Sequence, residues 1–215
     1  MARQIIVLVF LLAGIAASIR WKKLTVPAAL TGGIVGWLVY TGAGCTGLAM
    51  LAAFFILGTA ATSWHARHYP SDKQGPVRPQ RGIGSAVQST RTTGQVLANG
   101  GVAALSGLAI FIWPDQRPVL EIAMAASLAS ATADTLSSEL GMVYGRSYYN
   151  ILTGRRDQRG LDGVISLEGT LIGMAGSSVI ALLHAGSHAW NGACWIIVLS
   201  GTAGNLMDSV LGASL

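Results

Sequence analysis

The chain of 215 residues is 52% hydrophobic and only 11% charged, with 28 glycines and a net charge of +5. A water-soluble domain carries about 25% charged residues, so this composition excludes an ordinary soluble fold and requires most of the surface to face lipid. The positive balance does not point to nucleic acid, because the Lys and Arg residues sit between apolar runs and form no basic helix face; anionic lipid headgroups or a phosphorylated substrate are the expected partners.

Seven apolar runs follow one another, each near the roughly 20 residues that cross a bilayer as a helix. Residues 4–19 form the first, closed by Arg20, Lys22 and Lys23. Its small residues Ala16-Ala17-Ser18 also suit a cleaved signal, but the basic cluster reads as an anchor that stops transfer. Residues 24–40 and 45–64 are the second and third runs, separated by a turn at 41–44. A long polar stretch, 65–93, holds Pro70, Pro76 and Pro79 and is expected to move as a lid. Runs at 94–113 and 119–142 flank a short turn between Pro114 and Pro118. A second polar loop, 146–162, leads to runs at 163–183 and 192–211. The expected fold is all-α: a single polytopic membrane bundle, residues 1–215, of about seven transmembrane helices.

Orientation follows from the basic residues. Arg20, Lys22 and Lys23, then Arg67, Lys73, Arg78, Arg81 and Arg91, then Arg146, Arg155, Arg156 and Arg159 fall in alternate loops, leaving Arg3 and Arg117 for the other side. The rich loops are expected in the cytoplasm, with the N-terminus outside and the C-terminus inside, in a membrane such as the bacterial inner membrane. Cys45 and Cys194 then lie outside, open to a disulfide or to plain helix-end packing. His184 and His188 form an outer pair with helical spacing, and the four histidines divide between the two sides.

Carboxylates inside apolar runs are costly and mark function by default. Asp134, Glu139, Glu168 and Asp208 all fall toward the predicted cytoplasmic ends of their spans. Like charges gathered there need loop arginines, a divalent cation or protonation to offset them. Oxygen ligands of this kind suit Mg²⁺, which takes a few carboxylates plus substrate phosphates. Asp134 and Ser138 share a helix face. Arg155, Arg156 and Arg159 with two glycines make a phosphate clamp or simply supply the topological charge. Glu168-Gly169 stands at a helix start, where anions are favoured and an acid can serve as cap or metal ligand. No P-loop, dinucleotide fingerprint, nucleophile elbow or zinc-protease motif occurs.

Five stretches carry a resemblance: Phe54-Phe55-Ile56-Leu57-Gly58-Thr59, the segment from Arg91 through Gln95 and Asn99 to Gly101, Ala133 to Gly141, Gly163 to Thr170, and Gly204 to Ala213. In identity and order they resemble the integral membrane family that includes plant phytyl-phosphate kinase. That family is similar, more distantly, to dolichol kinase, phytol kinase and CDP-diglyceride synthase. The resemblance implies a kinase of isoprenoid lipid monophosphates, with CTP or another nucleotide as donor. Asp134, Glu139 and Asp208 would hold Mg²⁺. Arg91, Arg155 and Arg156 would bind phosphates, Gln95 and Asn99 would orient nucleotide or acceptor, and the prenyl tail would lie between spans. A small membrane transporter is the competing class, since acids in spans also mark ion paths, and a non-catalytic lipid-binding protein is the third. Oligomeric state is not legible.

Overall fold

In lipid every backbone N–H and C=O must be satisfied within its own segment, so long apolar runs fold as helices. The computed structural model describes residues 2–69 and 90–214. Its helices are α1 (Ala2–Arg20), α2 (Val26–His68), α3 (Thr93–Ile112), α4 (Arg117–Tyr144), α5 (Leu167–His188) and α6 (Gly192–Ser214). Among the described residues six helices are long and apolar enough to cross a membrane, where the sequence predicts seven spans. The difference is α2, in which the predicted second and third spans form one helical element of 43 residues. Such a helix would be about 65 Å long if straight, twice the roughly 30 Å of a bilayer core. It is not straight. Gly44 has φ 62°, a conformation that side chains rarely adopt, and breaks the helix. Lys23 Nζ then lies 2.9 Å from Ser63 Oγ, so the two halves run back along one another. The turn predicted over 41–44 shrinks to this one residue.

The break also sets how α2 packs on α3. A Cβ built on Gly107 would collide with the Leu38 carbonyl, and one on Gly42 would sit 2.5 Å from the Gly107 Cα. The two backbones therefore touch, as small residues permit between membrane helices. α4 is central, packing on α2, α3, α5 and α6, while α1 packs on α2. The buried face of α4 includes Met124, Ala125, Leu128, Ala129, Thr132, Ala133 and Leu136.

The predicted sixth span, 163–183, starts later than expected. Val164–Ser166 is a strand, β2, paired antiparallel with β1 (Tyr148–Asn150), and α5 begins at Leu167. Ser166 caps α5 by accepting from the Gly169 N–H at 3.1 Å. The second polar loop is thus a hairpin, docked on the end of α4 by the Tyr148 hydroxyl, which donates to the Gly141 and Gly145 carbonyls at 3.0 Å. Burial pushes the Tyr148 phenol above its ordinary pKa.

Three basic segments meet at one end of the bundle. Arg91 N–H donates to the Lys23 carbonyl at 2.9 Å, and Thr25 N–H donates to the Arg91 carbonyl at 3.1 Å. The Arg159 guanidinium lies 4.2 Å from the Tyr69 ring centroid, joining the hairpin to the end of α2. At the other end Arg3 is 3.3 Å from the Cys45 sulfur, and Glu121 meets Arg117 at 3.6 Å and His188 at 3.1 Å. Cys45 and Cys194 are both free, so the disulfide considered from the sequence does not form; Cys194 is buried and Cys45 exposed. Lys73, Arg78 and Arg81, and the lid expected across 65–93, lie outside the described residues except at the ends of that stretch.

Candidate functional site

At the end where the basic segments meet, a polar cavity of about 450 Å³ opens between α2, α3 and α4. Of the residues predicted from sequence, Arg91, Gln95, Asn99, Asp134, Ser138 and Glu139 line it. Lys23, Thr59, Thr62, Ser63 and Arg67 line it too and were not singled out. Two cations of different segments, Lys23 and Arg91, thus face two acids of α4 across one space.

Arg91 is fixed from several sides. Its backbone bridges to Leu24, and its guanidinium lies 5.4 Å from the Phe54 ring centroid. Gly58 makes the room: a Cβ there would stand 2.6 Å from Arg91 Nη2. Burial pulls the Arg91 pKa below its ordinary value, and Glu139 offsets part of that effect. Phe54 and Gly58 come from one of the five stretches and Arg91 from another, so packing explains why they occur together.

Glu139 is committed. Its Oε1 accepts from the Thr62 hydroxyl at 2.8 Å, and its Oε2 is 2.6 Å from His65 Nδ1. His65 is buried and was assigned no role from sequence. Its one legible signal is that Thr62 and His65 share a helix face. Asp134 differs: the charge beside its carboxyl is another carboxylate, Asp208. Asp208 is exposed near the end of α6. Asn205, one helical turn earlier, is buried and accepts from the Ser137 hydroxyl at 2.7 Å, tying α6 to α4 and so setting where Asp208 points. Sequence reasoning passed over Asn205, although its spacing from Asp208 placed both on one face.

The three carboxylates predicted to share a metal do not come together. Among the described residues no three of His, Cys, Asp and Glu are placed to hold a metal ion, and both Glu139 oxygens are engaged by α2. Asp134 with Asp208 still fits Mg²⁺, which binds one or two carboxylates and takes its other ligands from water and phosphates. Nor do arginines neutralise the acids. Among the described residues the ion pairs join Glu139 to His65, and Glu121 to Arg117 and His188; none reaches Asp134, Glu168 or Asp208.

The remaining predicted residues stand elsewhere. Arg155 and Arg156 are exposed in the hairpin and do not line the polar cavity. Glu168 accepts from the Arg146 N–H at 3.4 Å. Gly169 is accounted for by packing, since a Cβ there would stand 2.9 Å from the Ser137 carbonyl oxygen and 3.1 Å from the Gly141 Cα. Gln95 has a structural duty as well: its Oε1 accepts from the Thr92 N–H at 2.9 Å in a capping box, so its NH₂ is the group that can serve a ligand.

The sequence model of the integral membrane protein family DUF92 matches residues 8–215. The chain belongs to that family. It is 30% identical to the chloroplastic protein VTE6 of Arabidopsis thaliana over 188 residues, 84% of this chain and 53% of VTE6. It is 31% identical to an uncharacterized membrane protein of a Synechocystis strain, over 96% of this chain and 77% of that one. A third relative, an uncharacterized membrane protein of Methanocaldococcus jannaschii, is 32% identical over 84% of this chain and 69% of its own length. The chain spans about half the length of VTE6. No solved structure matches it.

Proposed function

We propose that this DUF92 protein is a phosphotransferase that converts an isoprenoid lipid monophosphate to the diphosphate, with a nucleoside triphosphate, CTP foremost, as donor. The observation that carries the reading is the polar cavity, where Lys23 and Arg91 face Asp134 at the basic end of a lipid-embedded bundle. The resemblance of five sequence stretches to the family that includes plant phytyl-phosphate kinase supports the same class of substrate. An oxygen of the acceptor monophosphate attacks the γ-phosphorus of the donor. The bond from that phosphorus to the β,γ-bridging oxygen breaks, and the nucleoside diphosphate leaves with that oxygen. The acceptor enters as a dianion and is already a nucleophile, so catalysis is positioning and charge stabilisation.

In this reading Lys23 and Arg91 hold the two phosphate groups near one another against their repulsion. The Gln95 NH₂ and the Asn99 amide orient donor or acceptor. Asp134 and Asp208 hold Mg²⁺, which when bound screens the charge of the transferred group. Glu139, locked by Thr62 and His65, positions α2 against α4 and keeps its charge close to Arg91. Arg155 and Arg156, exposed in the hairpin, engage anionic headgroups or phosphates outside the cavity. The basic end faces the cytoplasm, where nucleotides are.

The test is direct. Purified protein with CTP, Mg²⁺ and phytyl or geranylgeranyl monophosphate is expected to form the diphosphate, with ATP and GTP as comparison donors. Binding of no nucleotide, together with no diphosphate from either acceptor, overturns the reading.

A further inference from the structure

A second cavity, of about 540 Å³ and almost wholly apolar, adjoins the polar one. The two share Lys23, Thr59, Ser63, Arg91, Gln95 and Asn99 in their linings. It is a groove with α1 as one wall and the second half of α2 as the other. Its floor is the first half of α2, where α1 packs down directly: a Cβ on Gly33 would stand 2.6 Å from Ile15 Cδ1, and one on Gly36 would stand 2.8 Å from Leu11 Cδ2. Phe10, Trp21 and Ile56 on its rim are largely exposed, so among the described residues the groove opens sideways toward lipid.

We infer that this groove binds the hydrocarbon chain of an isoprenoid monophosphate and measures its length. Continuity with the polar cavity carries the inference. One molecule with an anionic head and an apolar tail satisfies both spaces at once, and the residues at their junction include the cations Lys23 and Arg91. The headgroup's identity rests on the kinase reading; the chain site does not. On the second half of α2 the lining runs from Ser63 at the junction to Leu48 at the far end, about 20 Å at the helical rise. That suits an extended diterpenoid chain and is far too short for a polyprenol. The sideways opening gives a lipid acceptor entry from the bilayer without passing through water.

Gly14 is the place to test it. It lines the groove, and a Cβ there would meet nothing within 4 Å. A phenylalanine therefore fills the groove without disturbing packing, in a helix that gains from losing a glycine. The probe is geranylgeranyl monophosphate with a photoreactive diazirine at the chain's far end, applied to the full chain in lipid nanodiscs. Label is expected in peptides covering residues 10–15 and 48–56. Excess unmodified geranylgeranyl monophosphate should remove it, and the same excess of phosphatidylglycerol should not. In Gly14→Phe the label should fall at least about tenfold, the scale on which a shaped apolar pocket discriminates, while a geranyl monophosphate probe still labels. Label on α5 or α6, no label at all, equal competition by phosphatidylglycerol, or undiminished label in Gly14→Phe overturns the assignment. Groove labelling with neither nucleotide binding nor diphosphate formation leaves the chain site standing and removes the kinase reading. Diphosphate formation with label elsewhere does the reverse.

Discussion

Asp134 and Glu139 lie on the same helix and line the same cavity, yet their surroundings give them different work. Asp134 faces another carboxylate, Asp208, while Glu139 has a hydroxyl and an imidazole on its two oxygens. Asp134→Asn is therefore expected to cut diphosphate formation at least about a hundredfold, the scale of losing one preorganised charge-stabilising group. It should leave the melting temperature in detergent unchanged or raised without ligand, since two facing carboxylates repel. A folded Asp134→Asn protein with full turnover would remove it from the phosphate site. Glu139→Ala should behave otherwise. It strands the buried His65 and is expected to lower stability by about 1–3 kcal/mol, the cost of leaving a buried polar group unsatisfied. Thermal melts of both variants, read beside turnover, separate the two roles. Asp134 and Glu139 stood out because an acid in an apolar run is conspicuous, whereas Arg91 and Asn99, which line the same cavity, were reached through the family resemblance. His65 and Asn205 were not, because a polar residue that another residue satisfies leaves no signature except spacing along its own helix.

The spans of the helices were legible wherever punctuation is strong. The predicted run 94–113 and the observed Thr93–Ile112 nearly coincide, since Thr92 with Gln95 caps the start and Pro114 follows the end. Punctuation failed twice. Val164 and Ile165 are apolar and β-branched, so they read as the start of a span; only their pairing with Tyr149 and Asn150 makes them a strand. The helix of α2 runs through Thr41-Gly42-Ala43, because nothing there stops it before Gly44. Contacts between backbones were not legible either, since which glycines meet depends on which helices cross. Gly107→Leu tests the crossing of α2 and α3. Its side chain would have to occupy the place of the Leu38 carbonyl, so the helices must part. A loss of about 1–3 kcal/mol or more is expected from such overpacking, read as a lowered melting temperature in detergent. Gly101→Leu on the same helix, where a Cβ would meet nothing within 4 Å, should change little.

For the whole molecule, the alternation of basic loops has a physical counterpart in the contacts that gather Lys23, Arg91 and Arg159 at one end. Arg3, Arg117 and Glu121 lie with Cys45 and His188 at the other. The distribution matters for function as well as insertion. On the proposed reading phosphorylated substrates would be drawn to the basic end, and a transporter would need ionisable groups along a path between the ends, whereas the described polar cavity belongs to one end. The excess of Lys and Arg predicts that the basic end faces the cytoplasm, because such loops are retained during insertion. The protein carries one reporter already. Cys45 is exposed at the sparsely charged end, and Cys194 is buried. In intact cells a membrane-impermeant maleimide is expected to label Cys45 without lysis. Gln158→Cys, placed in the hairpin of a Cys45→Ser background, should label only after the membrane is opened. Labelling of Gln158→Cys in intact cells would invert the orientation and put the polar cavity on the side that lacks nucleotide, which removes CTP as donor however well the isolated protein binds it.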